Sequence, residues 1–180
     1  MTPTPILVAG LGSPHGDDQA GWIAAEAFRS LQRQKHGSPQ NITTVCCTSP
    51  VDLLPDLSNF STVILCDCAK LRTSRPPTPP FFRLAIPRPW TEAGLQQQFA
   101  DYRIGTSSHG IELGQVLELA EIQNKFKGTE VVIYAIPGTD FRPISPPCLA
   151  VTESANAAAF QILADLSGIP GSMLAVRRTH

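Results

Sequence analysis

Apolar residues gather in short runs that predict β-strands. The runs at 62–66 and 130–136 have almost no polar alternation, which is typical of strands covered on both faces. A shorter apolar run at 6–9 ends in a glycine-bearing loop, and the β-branched residues of 41–47 predict another strand. The segment 81–86 lies among prolines, so it can form only an edge strand or an extended flap.

Helical spacing of apolar residues separates these strands. Three longer helices are predicted, over 17–34, 109–125 and 148–166. Shorter helical pieces are expected at 50–57 and 92–101. Strands that alternate with helices predict an α/β fold with three layers, in which a twisted, mostly parallel sheet of about five strands has helices on both faces.

Length and composition favour one domain over residues 1–180. A chain of 180 residues with 42% hydrophobic residues is large enough for a substantial core. We expect the proline-rich segment 74–90 to be the least regular part and the tail 167–180 to be loosely held.

Charge, apolar runs and cysteine spacing argue against nucleic-acid binding, a membrane span and a disulfide framework. Fourteen basic and 15 acidic residues give a net charge of -1, which argues against nucleic-acid binding. No apolar stretch is long enough to span a bilayer, and the start of the chain lacks the basic region of a secretory signal, so we expect a cytoplasmic protein. The five cysteines do not form a disulfide pattern, and we expect reduced thiols that pack in the fold.

Three polar features follow or flank the predicted strands at the carboxyl edge of the sheet, where ligands usually bind. They are the pair Asp17 and Asp18, the carboxylate of Asp67 after an apolar run, and the segment 107–109, which ends in His109. A carboxylate next to an apolar run needs a partner or a cation. Two carboxylates and an imidazole that converge at this edge would form a small metal site with open positions.

Each of these features also has a plain structural explanation. One acid of the pair can cap the following helix, Asp67 can accept hydrogen bonds from loop amides, and His109 can be a polar residue of a first helical turn. His15, in the same loop as the two aspartates, is a rival ligand.

The glycines at 10, 12 and 16 superficially match a dinucleotide-binding loop. Two aspartates in the first helical turn would repel a phosphate, which argues against nucleotide binding. The chain also lacks a nucleophile elbow and a zinc-protease motif, so any bond cleavage would depend on a metal or a metal-bound water.

Four segments, in order, resemble the hydrogenase maturation endopeptidases, which trim the C-terminal extension of the nickel-containing large subunit. Segment 6–21 resembles the family's opening strand and loop, 62–67 its central strand ending in aspartate, 107–110 its Ser-Ser-His segment, and 131–141 its last strand and loop. The likeness extends to about residue 166. The family's twisted five-stranded sheet between helices agrees with the fold predicted above.

The resemblance implies that Asp18, Asp67 and His109 are the nickel ligands and catalytic residues, and that Asp17 caps the helix. Nickel would arrive inside the precursor and not as a tightly held cofactor, although other divalent cations could occupy the site. The implied function is that of a nickel-dependent hydrolase, an endopeptidase that acts on an immature NiFe-hydrogenase large subunit. We expect it to act as a monomer.

This chain departs from the family pattern at several positions. Its loop is one residue shorter, with Ser13 where asparagine is usual and Gln19 where glycine is common. Segment 46–50 stands in place of a glycine-rich stretch that lies near the substrate cleft in the family.

Two other functions stay open. One is a non-catalytic, metal-sensing module that binds a metalloenzyme precursor without cutting it. The other is a small nucleotide-binding domain, which phosphate at the loop 10–16 would support.

Overall fold

The structure is a computed structural model that describes residues 4–34, 41–71, 80–85, 102–104 and 113–167. The short helix predicted at 92–101, the segment 107–109 with His109, and the tail beyond residue 167 lie outside the described residues. Most of the proline-rich segment 74–90 also lies outside them.

The described residues form strands and helices in alternation. The six strands are β1 (Ile6–Leu11), β2 (Ile42–Cys47), β3 (Thr62–Leu71), β4 (Phe82–Ala85), β5 (Tyr102–Ile104) and β6 (Glu130–Gly138). The three α-helices are α1 (Ala20–Gln34), α2 (Leu113–Ile122) and α3 (Leu149–Leu166). Short 3₁₀ helices cover Gly16–Gln19, Pro50–Leu53 and Leu57–Asn59.

The strands form one mostly parallel sheet in the order β2-β1-β3-β6-β4. The first four strands of this order pair in parallel, and β4 pairs antiparallel with β6 at the edge. This arrangement confirms the predicted α/β class and the edge strand among the prolines. A sixth strand, β5, pairs antiparallel with the end of β3 and was not predicted, because three residues are too few for a periodic pattern.

Two apolar layers cover the sheet. On one face, α1 and α3 pack together over side chains such as Val8, Ile64 and Tyr134. On the other face, α2 and the two later 3₁₀ helices cover side chains such as Leu65 and Ile133. Among the described residues, no helix is both long and apolar enough to cross a membrane.

Two predicted elements differ from the structure. The segment predicted as a helix over 50–57 forms 3₁₀ turns, which begin at Pro50 with Ser49 as cap. The third strand does not end at Asp67, as predicted, but continues to Leu71, because it pairs with β6 as far as Gly138. Pairing with β1 stops at Cys66, so Asp67 is the first residue of β3 beyond this pairing.

A close approach of α1 to the sheet sets the position of the loop that precedes it. A β-carbon at Gly21 would lie 2.1 Å from the carbonyl oxygen of Leu11 and 2.3 Å from that of Cys66. Only glycine therefore lets the first turn of α1 contact the carboxyl end of β1 and the middle of β3. This contact brings Asp18 close to Asp67.

Candidate active site

A small cleft opens at the carboxyl edge of the sheet, on the face covered by α2. It contains both predicted carboxylates and is lined by Leu11, Gly12, Asp18, Thr48, Pro50, Asp67 and Leu113. Asp18 comes from the 3₁₀ helix before α1, and Asp67 from β3. The structure therefore brings together two residues that are far apart in the chain.

Asp67 is a buried carboxyl group, with 6% of its surface exposed. Its Oδ1 accepts a hydrogen bond from the backbone N–H of Cys68 at 2.8 Å. Burial raises the pKa of Asp67 to about 8, and the negative charge of Asp18 adds to this shift, while the Cys68 N–H opposes it. At neutral pH without a cation, this group therefore holds a proton, which is unusual for an aspartate.

Asp18 is also buried, with 7% of its surface exposed, and it has a different partner. The hydroxyl of Ser13, which is fully buried, donates a short hydrogen bond to Oδ2 of Asp18. Within the described parts of the chain, Oδ1 of Asp18 and Oδ2 of Asp67 have no hydrogen-bond partner. Within these parts, each carboxyl group therefore has one oxygen with a hydrogen-bond donor and one without.

Asp17 has a different role from its neighbour, and the predicted capping of its own helix is wrong. His15 occupies the cap position of the Gly16–Gln19 turn, and no side chain caps it. The carboxylate of Asp17 instead accepts hydrogen bonds from the backbone N–H groups of Thr139, Asp140 and Cys148, at 2.8, 2.9 and 2.8 Å. Cys148 is the cap residue of α3, so Asp17 joins this loop and the start of α3 to the loop that carries Asp18.

The environment of Asp17 favours its charged form. Burial opposes ionisation, but the N–H groups of Cys148, Asp140 and Thr139 outweigh it and hold the pKa of Asp17 below its usual value. The two neighbouring acids therefore differ in function: Asp17 is a structural anion, and Asp18 faces the cleft.

Of the two histidines considered as metal ligands, His15 is among the described residues and His109 is not. Nδ1 of His15 accepts a hydrogen bond from the backbone N–H of Ile144 at 3.2 Å, and His15 does not line the cleft. Its role is to hold the loop after β6. His109 lies outside the described residues, so its role as a ligand stays a prediction.

The glycines of the first loop are explained by close packing of the backbone. A β-carbon at Gly10 would lie 2.3 Å from the carbonyl oxygen of Gly21, and one at Gly12 would lie 2.3 Å from that of Asp18. Gly16 has a φ of +54° and faces the carbonyl oxygen of Asp140. Because protein backbone occupies the space beside each glycine, these residues need no bound phosphate to explain them.

The five cysteines are free thiols, as the sequence predicted. Cys66 and Cys68 are buried in the sheet, and burial raises the pKa of both. They are packing residues on the face opposite to the cleft, among the side chains covered by α1 and α3.

Sequence reasoning missed three residues of the site. Thr48 and Pro50 line the cleft from the segment after β2, and Ser13 holds Asp18. The sequence did mark these positions, since segment 46–50 and position 13 are among the places where this chain departs from the resembled family.

The two carboxyl groups of the cleft are oxygen donors of a type that divalent cations bind. A cation would favour the charged form of Asp67 and offset the repulsion between the two carboxylates. Within the described ranges, no group of three metal-binding side chains exists.

Solved structures show what this fold is similar to, although the chain matches no protein-family model and no curated protein. A NiFe hydrogenase maturation protease, HycI, from Thermococcus kodakarensis has 19% sequence identity and a TM-score of 0.65, over 91% of this chain and 93% of that chain. The hydrogenase maturating endopeptidase HybD from E. coli has 20% identity and a TM-score of 0.65, with the same coverage.

A hydrogenase 2 maturation peptidase from a Thaumarchaeota archaeon has 20% identity and a TM-score of 0.53, over 92% of this chain and 99% of that chain. The likeness thus covers almost the whole of each neighbour. The resemblance inferred from four sequence segments is confirmed at the level of the fold, and the chain has the fold of the hydrogenase maturation proteases.

Proposed function

We propose that this protein is an endopeptidase that removes the C-terminal extension of an immature NiFe-hydrogenase large subunit. The observation that carries the proposal is the meeting of two buried carboxyl groups, Asp18 and Asp67, in one cleft at the ligand-binding edge of a sheet. The shared fold over more than nine-tenths of the chain supports the same reading.

Nickel is part of the substrate in this proposal. The uncommitted oxygens of Asp18 and Asp67, together with His109 as the resemblance implies, would bind nickel that the precursor already holds. Sharing this ion would place the scissile peptide bond beside the cleft and make cleavage specific for the loaded precursor. The ion would supply positive charge and Lewis acidity there.

The chain's own residues prepare the cleft for a cation. Asp67 holds a proton in the absence of a cation because its pKa is about 8. When a cation binds, that proton leaves, and both carboxyl groups become ligands. Precursor without nickel lacks the charge that would make this change favourable, which gives a physical reason for discrimination between the two forms.

The test compares two forms of the precursor. Purified protein is incubated with nickel-loaded and with nickel-free large subunit, and the masses of the products are measured. We expect a short C-terminal peptide from the loaded form only. Equal cleavage of both forms would contradict recognition through nickel, and an intact precursor within a demonstrated complex would support the non-catalytic binding module instead.

Three variants test the proposed site residues. Asp18→Asn, Asp67→Asn and His109→Ala should each reduce cleavage of the loaded precursor by at least about 100-fold, if these groups hold the ion that positions the bond. Asp56→Asn makes the same chemical change at an exposed position that does not line the cleft, and it should leave cleavage unchanged. Full activity of Asp18→Asn and Asp67→Asn would remove both residues from the mechanism.

A further inference from the structure

We propose that Ser13 is a positioning residue for Asp18: it holds one oxygen of the carboxylate and so fixes the orientation in which the other oxygen is offered to the metal. This inference rests on the proposed function, because it concerns how the same cleft holds nickel. It assigns a role to a residue that does not line the cleft.

The geometry carries the proposal. Ser13 is fully buried, and its hydroxyl donates to Oδ2 of Asp18 across five residues of chain. A hydroxyl has a single proton to donate, so this bond commits it to one oxygen. Among the described residues, the other oxygen of Asp18 has no partner, and it is the one left for the ion.

The backbone around Ser13 is firmly held. The N–H of Gly12 donates to the carbonyl oxygen of Cys47 at 3.2 Å. A β-carbon at Gly12 would lie 2.3 Å from the carbonyl oxygen of Asp18, so the two ends of this loop are in close contact. Ser13 is therefore a rigid support, and outer partners of this kind typically change metal affinity by about 10- to 100-fold when removed.

A purely structural hydrogen bond is the competing explanation, and a control separates the two. Ser61 is the control position, because its hydroxyl donates to the carbonyl oxygen of Pro5 at 3.0 Å, at the opposite end of β3. Ser61→Ala should lower stability less than Ser13→Ala, because the Ser61 hydrogen bond is exposed and its acceptor is uncharged. Only Ser13→Ala should weaken metal binding.

The primary measurement is calorimetric titration of the full chain with Ni²⁺ alone, beside urea unfolding of each variant. We expect Ser13→Ala to bind Ni²⁺ roughly 10- to 100-fold more weakly than the unmodified protein. Ser13→Thr, which keeps the hydroxyl, should recover most of the affinity. With nickel-loaded precursor, Ser13→Ala should raise KM more than it lowers kcat.

Three outcomes would overturn the inference. If Ser13→Ala binds Ni²⁺ as tightly as the unmodified protein, Ser13 has no role in positioning, and the proposed function is unaffected. If folded Ser13→Thr binds as weakly as Ser13→Ala, the hydroxyl is not the cause. If the unmodified protein binds no free Ni²⁺ and Ser13→Ala leaves the KM for nickel-loaded precursor unchanged, Ser13 again has no role in positioning, and the proposed function is unaffected.

Discussion

Replacing Asp67 by asparagine should make the protein more stable, and more so as the pH rises. The carboxyl group is buried, with 6% of its surface exposed, and its pKa is raised to about 8 by burial and by Asp18. Asparagine has nearly the same shape and keeps an oxygen that can accept from the N–H of Cys68. It does not ionise in either state, so the cost of keeping this group protonated in the folded protein disappears.

The magnitude follows from the two pKa values. An unfolded aspartate ionises near pH 3.8, while folded Asp67 ionises near pH 8. Between these values the native state binds more protons than the unfolded state, so stability of the unmodified protein falls by about 1.4 kcal/mol per pH unit. The loss is absent below pH 4, reaches about 4 kcal/mol at pH 7, and is complete above pH 8.

The assay is urea unfolding at pH 5, 6, 7 and 8, for the unmodified protein and for Asp67→Asn. The difference between their free energies of unfolding should grow with pH at close to the slope given above, whatever its offset. Asp56→Asn, at an exposed position, should show a difference that does not change with pH. A difference for Asp67→Asn that is flat, or that shrinks as pH rises, would refute the reasoning.

Three further predictions concern the loops that hold the cleft, each measured by urea unfolding. Asp17→Ala should lower stability by about 3 kcal/mol at pH 7, because three N–H groups lose their acceptor. The loss should become smaller once the pH falls through the lowered pKa of Asp17. Equal stability of the two proteins at pH 7 would contradict this. Gly21→Ala should lower stability by more than about 3 kcal/mol, because its β-carbon would overlap two carbonyl oxygens. Gly128→Ala, at a position with open space and a φ of +82°, should lower stability by about 1 kcal/mol. Similar losses for the two variants would argue against the close contact at Gly21. Ile144→Gly should raise stability by about 1 kcal/mol, since Ile144 is 86% exposed at a φ of +49°, and a loss would show that the side chain has a packing role.

The opposite effects expected at Asp17 and Asp67 would separate a structural carboxylate from one proposed to act in the cleft. Asp17 has three N–H partners, and its charge stabilises the fold. Asp67 has one such partner, and its burial disfavours ionisation in the fold. Loss of cleavage together with a gain in stability in Asp67→Asn would exclude misfolding as the cause.

Much of the fold was predictable because its signals are local. The apolar runs of β1, β3 and β6 and the helical spacing of α1 and α3 record which faces are buried. Strand and helix alternation then leaves few topologies, and the observed sheet is one of them. The strand β5 and the 3₁₀ turns after Pro50 have no comparable periodicity, so they were missed or given the wrong helical type.

The candidate site was predictable only in part. Asp18 and Asp67 could be placed at one edge of the sheet, since carboxyl ends of parallel strands lie together. The partners of these carboxyl groups could not, because they depend on three-dimensional contacts. Asp17 and Thr139 are 122 residues apart, and no local pattern relates them. In the sequence, Ser13 likewise looks like any serine of a loop, and only the structure shows that its hydroxyl donates to Asp18.

Local chemistry along the chain specifies which segments are strands and helices and which acids stand at strand ends, because backbone geometry repeats with short periods. The identity of Asp67 as a protonated acid and of Asp17 as a structural anion comes from the folded arrangement. A pKa reflects every charge, dipole and water-excluding group nearby, and in this protein those groups come from distant parts of the chain.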